Sequence, residues 1–98
     1  MQDKKEERRK EPRFPLGQTV MTRGVAAQVS EGEVYAALRR HQCGDWGQVC
    51  QDDWQENEHA VKEGFRLLSV YTSCDGVKFW IITEWDRSVT TVLLPDEY

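Results

Sequence analysis

Phe65-Arg-Leu-Leu-Ser-Val-Tyr-Thr72, Val77-Lys-Phe-Trp-Ile-Ile-Thr83 and Ser88-Val-Thr-Thr-Val-Leu-Leu94 follow one another with only short gaps between them. β-Branched and aromatic residues fill each run. The gaps hold Ser73, Cys74, Asp75 and Gly76, then Asp86 and Arg87, all of which suit turns. The pattern predicts a three-strand antiparallel meander. Phe65, Leu67, Ser69 and Tyr71 alternate with Arg66, Leu68, Val70 and Thr72, while Val77, Phe79 and Ile81 alternate with Lys78, Trp80 and Ile82. Neither set is cleanly polar, as it would be if one face met solvent. The second face therefore calls for a cover: a homodimer partner, another protein, or the chain's own N-terminal segment.

Upstream, Cys50, Trp54, Asn57 and Val61 recur at spacings of four, three and four, which places them on one face of a helix ending at Gly64. Asp52, Asp53, Glu56 and Glu63 fall on its opposite face. Asn57 is the odd member of the apolar stripe. A buried amide is costly unless its donors and acceptor find partners, so it should tie the helix to a neighbouring loop. Cys50, on the same stripe, reads as a small hydrophobe. Further back, Ser30 and Glu33 form a capping-box pair ahead of Val34, Tyr35 and Leu38, predicting a helix over about Glu31–His41. Arg39, Arg40 and His41 would set positive charge against the C-terminal end of its dipole. Val25, Ala26 and Val29 fit one or two helical turns, and Gln18–Thr22 reads as a short strand or extended segment. The expected fold is α+β: two or three short helices packed on an antiparallel sheet built around the C-terminal meander.

Length and composition agree with one small domain. A chain of 98 residues has one core, and folding at this size buries about 60–65% of the surface the unfolded chain exposes. Residues 1–15 read as a charged, disordered tail and residues 16–98 as the domain. The first thirteen residues carry six basic against four acidic side chains, the rest seven against thirteen, so the body stands near −6. An acidic body repels phosphate, which argues against duplex DNA as a direct partner and favours proteins with basic surfaces. Three cysteines without metal-ligand spacing suggest a reducing, cytoplasmic setting, with no disulfide framework, metal site or cofactor. No apolar stretch approaches the roughly 18 residues of a membrane span.

Gly44-Asp-Trp-Gly47, Asn57, Gly64-Phe-Arg-Leu-Leu-Ser-Val-Tyr71, Trp80-Ile-Ile-Thr-Glu84, Asp86-Arg-Ser88, Thr90-Thr91 and Leu93-Leu-Pro-Asp-Glu-Tyr98 together carry a resemblance. Over Gly17–Tyr98 the chain resembles small proteins of bacterial plasmids and integrative elements, with Trp85 where that group is expected to hold a small residue. The resemblance implies a mobile-element setting and brings no activity with it.

Candidate chemistry is sparse. His41 and His59 sit on two different predicted helices, and a general acid–base pair would need the fold to bring them together. Helices followed by an antiparallel sheet bearing Arg66, Arg87, Thr90, Thr91 and Tyr98 also resemble small RelE- or barnase-like ribonucleases. Such enzymes use cations and an acid–base pair at the scissile phosphate. Their usual basic charge is missing here, and Arg66 and Arg87 are expected to pair with acidic side chains at strand ends. Asp86 should cap backbone amides of its turn. Trp46 and Trp54 are expected mainly in the core, with one exposed as an anchor being the alternative. The residues most suited to meet a protein partner are Asp52, Asp53, Glu56, Trp80, Glu84, Asp86 and Arg87, and the acidic ones could imitate nucleic-acid phosphates. The expected function is a non-enzymatic accessory protein of a mobile element that binds a protein, such as a restriction or CRISPR effector, and inhibits it. A metal-independent toxin-type ribonuclease is the alternative.

Overall fold

A computed structural model describes residues 11–98. Strand β1 (Gln18–Met21) leads into helices α1 (Arg23–Gln28), α2 (Glu31–Gln42) and α3 (Gln51–Glu63). Strands β2 (Leu67–Thr72), β3 (Lys78–Thr83) and β4 (Val89–Leu93) follow, and a 3₁₀ turn spans Pro95–Glu97. The fold is α+β, and β2, β3 and β4 form the meander with the order β1-β4-β3-β2 across the sheet.

The sheet is mixed rather than wholly antiparallel, because β1 runs parallel to β4 with Gln18 opposite Val89 and Met21 opposite Val92. A parallel neighbour requires a long crossover. Here everything from α1 to β3 supplies it. The helices lie on one face of the sheet, where Val25, Val29, Val34, Ala37 and Leu38 pack against Tyr71, Phe79, Ile81 and Val92. A second cluster joins Phe14, Trp46, Ala60 and Leu67, with Trp54 packed against it. Among the described residues no helix is long and apolar enough to cross a membrane.

Local details depart from the sequence reading in instructive ways. The fold begins before residue 16: Phe14 is buried, and Arg13 makes a two-pronged ion pair with Glu58 at 2.9 and 3.0 Å. Ser30 does cap α2 by accepting from the Glu33 N–H. The Glu33 carboxylate, however, reaches the β2–β3 turn and accepts from the Cys74 N–H at 2.6 Å. Cys50 is exposed at the N-cap of α3 and stands off the apolar stripe, whose buried members are Asn57 and Ala60. Arg66 and Arg87 make no ion pair among the described residues, where the pairs are Arg13–Glu58 and Arg40–Asp45.

Candidate protein-binding face

Antiparallel register determines what lies on the side of the sheet away from the helices. Val70 stands opposite Trp80, and Trp80 opposite Leu93, so Trp80 is flanked on both sides by aliphatic side chains. One pleat along, Ile82 lies between Leu68 and Thr91. Alternation adds Thr72 on β2, Lys78 on β3 and Val89 on β4 to the same side, with Arg66 just before β2 and Val20 extending it onto β1. Among the described residues no α-helix covers this face. Ile82 and Leu93 are buried by their neighbours alone, while Leu68, Val70, Trp80, Val89 and Thr91 remain half-exposed and Val20 is exposed.

The C-terminal 3₁₀ turn touches this face at one point. It brings the Tyr98 ring within 5.6 Å of the Trp80 ring at 61°, an edge-on contact. The Arg66 guanidinium lies 5.4 Å from the centre of the Tyr98 ring and donates to its hydroxyl. Tyr98 itself is mostly exposed. The result is an aromatic pair held by a cation at the margin of an aliphatic floor, a composition suited to a protein contact. The described part of the N-terminal segment does not cover it, because Phe14 stacks on Trp46 in the helical layer.

The sequence-derived contact residues divide into three places. Trp80 lies on the open face, and Glu84 follows β3 at its rim. Asp52, Asp53 and Glu56 are exposed on α3, the two aspartates in its first turn where they complement the helix dipole. Asp86 caps its own turn: Oδ1 accepts from the Ser88 hydroxyl at 2.7 Å and from the Ser88 N–H at 3.1 Å, and these bonds hold its carboxyl below the usual range.

Arg87 is fully engaged within the fold. Its guanidinium donates to the carbonyls of Phe65 at 2.6 Å, Ala60 at 2.9 Å, Glu84 at 3.1 Å and Trp85 at 3.3 Å. The Ala60 carbonyl also accepts from the Gly64 and Phe65 N–H groups at the C-terminal end of α3, so Arg87 adds to that cap and joins the helix to the β3–β4 turn.

The sequence reading also placed His41 as a positive charge at the end of α2, and there the structure differs. His41 is fully buried, and burial beside the positive charge of Arg87 lowers its pKa to about 3, so the ring is neutral. Nδ1 lies 2.6 Å from Ser69 Oγ and Nε2 lies 2.9 Å from Thr83 Oγ1. Thr83 Oγ1 is 2.8 Å from Thr90 Oγ1, whose proton goes to the Leu16 carbonyl at 2.7 Å. One ordering satisfies every group: Ser69 donates to Nδ1, Nε2–H donates to Thr83, Thr83 to Thr90, and Thr90 to Leu16. Neither ring nitrogen is open to a substrate. His59 is exposed on α3 against Phe65, with ring centres 5.6 Å apart, so the two histidines form no pair.

Compared with protein-family models, curated proteins and solved structures, the chain matches none of them.

Proposed function

We propose that this protein is a non-enzymatic binding module that docks a protein partner on the open sheet face around Trp80. The supporting observation is the side of the meander left without helices, where Val70, Trp80 and Leu93 lie side by side and Tyr98 stands over Trp80. Large aromatics in an aliphatic setting are the usual anchors of protein interfaces. The acidic body favours a partner whose flanking surface is basic, and nucleic-acid-directed effectors have such surfaces. With the resemblance to plasmid-borne proteins, this favours an antagonist of a restriction or CRISPR effector. Asp52, Asp53, Glu56, Glu84 and Asp86 would contribute to encounter and steering. The ribonuclease alternative has less support, since Arg87 already serves four carbonyls and the His41 ring nitrogens are both bonded.

The test is expression in bacterial strains carrying defined restriction or CRISPR systems, with challenge by unmodified or targeted plasmid DNA. The expected result is a gain in transformation against one system that Trp80→Lys abolishes, with unchanged circular dichroism and co-purification of that effector after nuclease treatment. RNA cleavage by the purified chain, lost on Arg66→Ala, would replace this reading with the nuclease one.

A further inference from the structure

The two edges of the sheet are treated differently. At the β2 edge, every outward-facing backbone group within Leu68–Val70 is bonded. The Asn57 side chain serves Leu68, while Val70 donates to the Trp46 carbonyl at 3.2 Å and accepts from the Gln48 N–H at 2.7 Å. At the β1 edge, Gln18 and Thr22 donate inward to Ser88 and Val92. In a parallel ladder alternate residues face the neighbour. The N–H and C=O groups of Thr19 and Met21 therefore point away from the sheet, and among the described residues they have no partner. β1 carries no charge, Pro or bulge, the usual guards of an open edge.

Beside this edge runs a groove of about 580 Å³ between β1 and α2, lined by Thr19, Met21, Leu38 and Tyr35 and bounded by Glu31 and Arg39. Met21 and Tyr35 are exposed, Tyr35 to 72%. Glu31, Tyr35 and Arg39 lie four residues apart on one face of α2. The stripe is charge-complementary to itself. A two-fold axis through Tyr35 sets Glu31 of one copy opposite Arg39 of the other, twice. Neither residue has an ion-pair partner among the described residues.

We propose that the chain self-associates through β1 and α2 as a two-fold dimer. The β1 strands pair antiparallel about Val20, so that Thr19 faces Met21 of the second copy and four backbone hydrogen bonds form. The α2 helices lie antiparallel over the joint, with Tyr35 at the centre and a Glu31–Arg39 pair at each end. The two sheets become one of eight strands. Because the axis is perpendicular to the sheet, both open faces lie on the same side and meet at Val20. This pairing stands independently of any partner docked at Trp80.

Sedimentation equilibrium of the full chain in reducing buffer is the test. The expected result is a reversible rise to twice the chain mass with concentration. Thr19→Pro, which removes an outward N–H and leaves the β1–β4 ladder intact, should weaken the dimer about tenfold. Glu31→Arg and Arg39→Glu should each weaken it about fivefold, and the double exchange should restore it. Rescue by the double variant reports the cross-copy pair even if Thr19→Pro disturbs the fold. A full chain that stays monomeric at hundreds of micromolar, or a double variant as weak as the single ones, overturns the proposal.

Discussion

The Asn57 carboxamide meets both backbone polar groups of Leu68: Nδ2 donates to the carbonyl at 2.7 Å and Oδ1 accepts from the N–H at 3.2 Å. One side chain on α3 thus takes the place of a missing neighbouring strand. Asn57→Leu would fill the space but leave a donor and an acceptor on Leu68 unsatisfied, and should cost about 2–3 kcal/mol in urea denaturation. A loss below about 0.5 kcal/mol would mean that water satisfies that edge equally well.

His41 makes stability depend on pH in a defined window. Its folded pKa, about 3, lies below the unfolded value near 6.5, so between those limits the unfolded chain binds a proton that the folded one does not. Stability therefore falls as pH falls below 6.5 and stops falling from this source below about 3. Between pH 7 and pH 5 the expected loss is about 2 kcal/mol. The carboxyls with lowered pKa, Asp45, Glu58, Asp86 and Glu97, titrate at more acid pH and leave this window largely to His41. Equilibrium denaturation at both pH values checks it, with His41→Gln expected to flatten the dependence.

Arg87 adopts φ 63° while bonding four carbonyls. Arg87→Gly relaxes the backbone but removes the guanidinium from those carbonyls, of which Ala60 and Glu84 keep backbone donors, whereas Arg87→Lys keeps the charge and loses the planar fork. Both should unfold more readily than the parent, Arg87→Lys by about 1–2 kcal/mol. A binding defect in either should therefore appear together with a lowered Tm, unlike one in Trp80→Lys.

Gly47 and Gly64 share a left-handed backbone, φ 75° and 81°, but not their surroundings. A Cβ on Gly47 would sit 2.0 Å from the Val70 carbonyl oxygen and 2.8 Å from the Tyr71 ring, while one on Gly64 meets open space. Gly64→Ala should cost about 1–2 kcal/mol of backbone strain. Gly47→Ala adds a clash with the backbone of β2 and should cost more than about 3 kcal/mol. Thermal unfolding of the two variants side by side makes the comparison.

How much of this could be read from sequence depended on whether a residue's surroundings were local. The meander was legible because alternation and turn residues are properties of neighbours in the chain. Asn57 was legible as an anchor because one amide interrupted an apolar stripe, although its partner proved to be a strand edge. The unclad sheet face was foreshadowed by Trp80 and Ile82, which occupy positions that solvent would have made polar. β1 was only half legible: its extended form could be read, its parallel pairing with residues about seventy positions away could not. His41 misled because Arg39-Arg40-His41 looks like a charged helix end, and only the approach of Ser69 and Thr83 from two strands makes its burial tolerable. Arg87 looked like a surface turn residue because carbonyl acceptors leave no trace in composition.

The pairing of β1 with β4 also bears on how the chain is made. β1 leaves the ribosome well before its partner strand, about seventy residues further along, and Glu97 beyond that strand holds Thr22 Oγ1 at 2.5 Å and Gly24 N at 3.1 Å. Until those residues are free, β1 has no strand to pair with. Helices α2 and α3 and the β2–β3 hairpin can form on the nascent chain, but β1 joins the sheet only after β4 has emerged. Folding must then wait on a contact between strands far apart in sequence, which places it in about the millisecond-to-second range of non-local topologies. Until β4 emerges, β1 stays available to whatever strand meets it first.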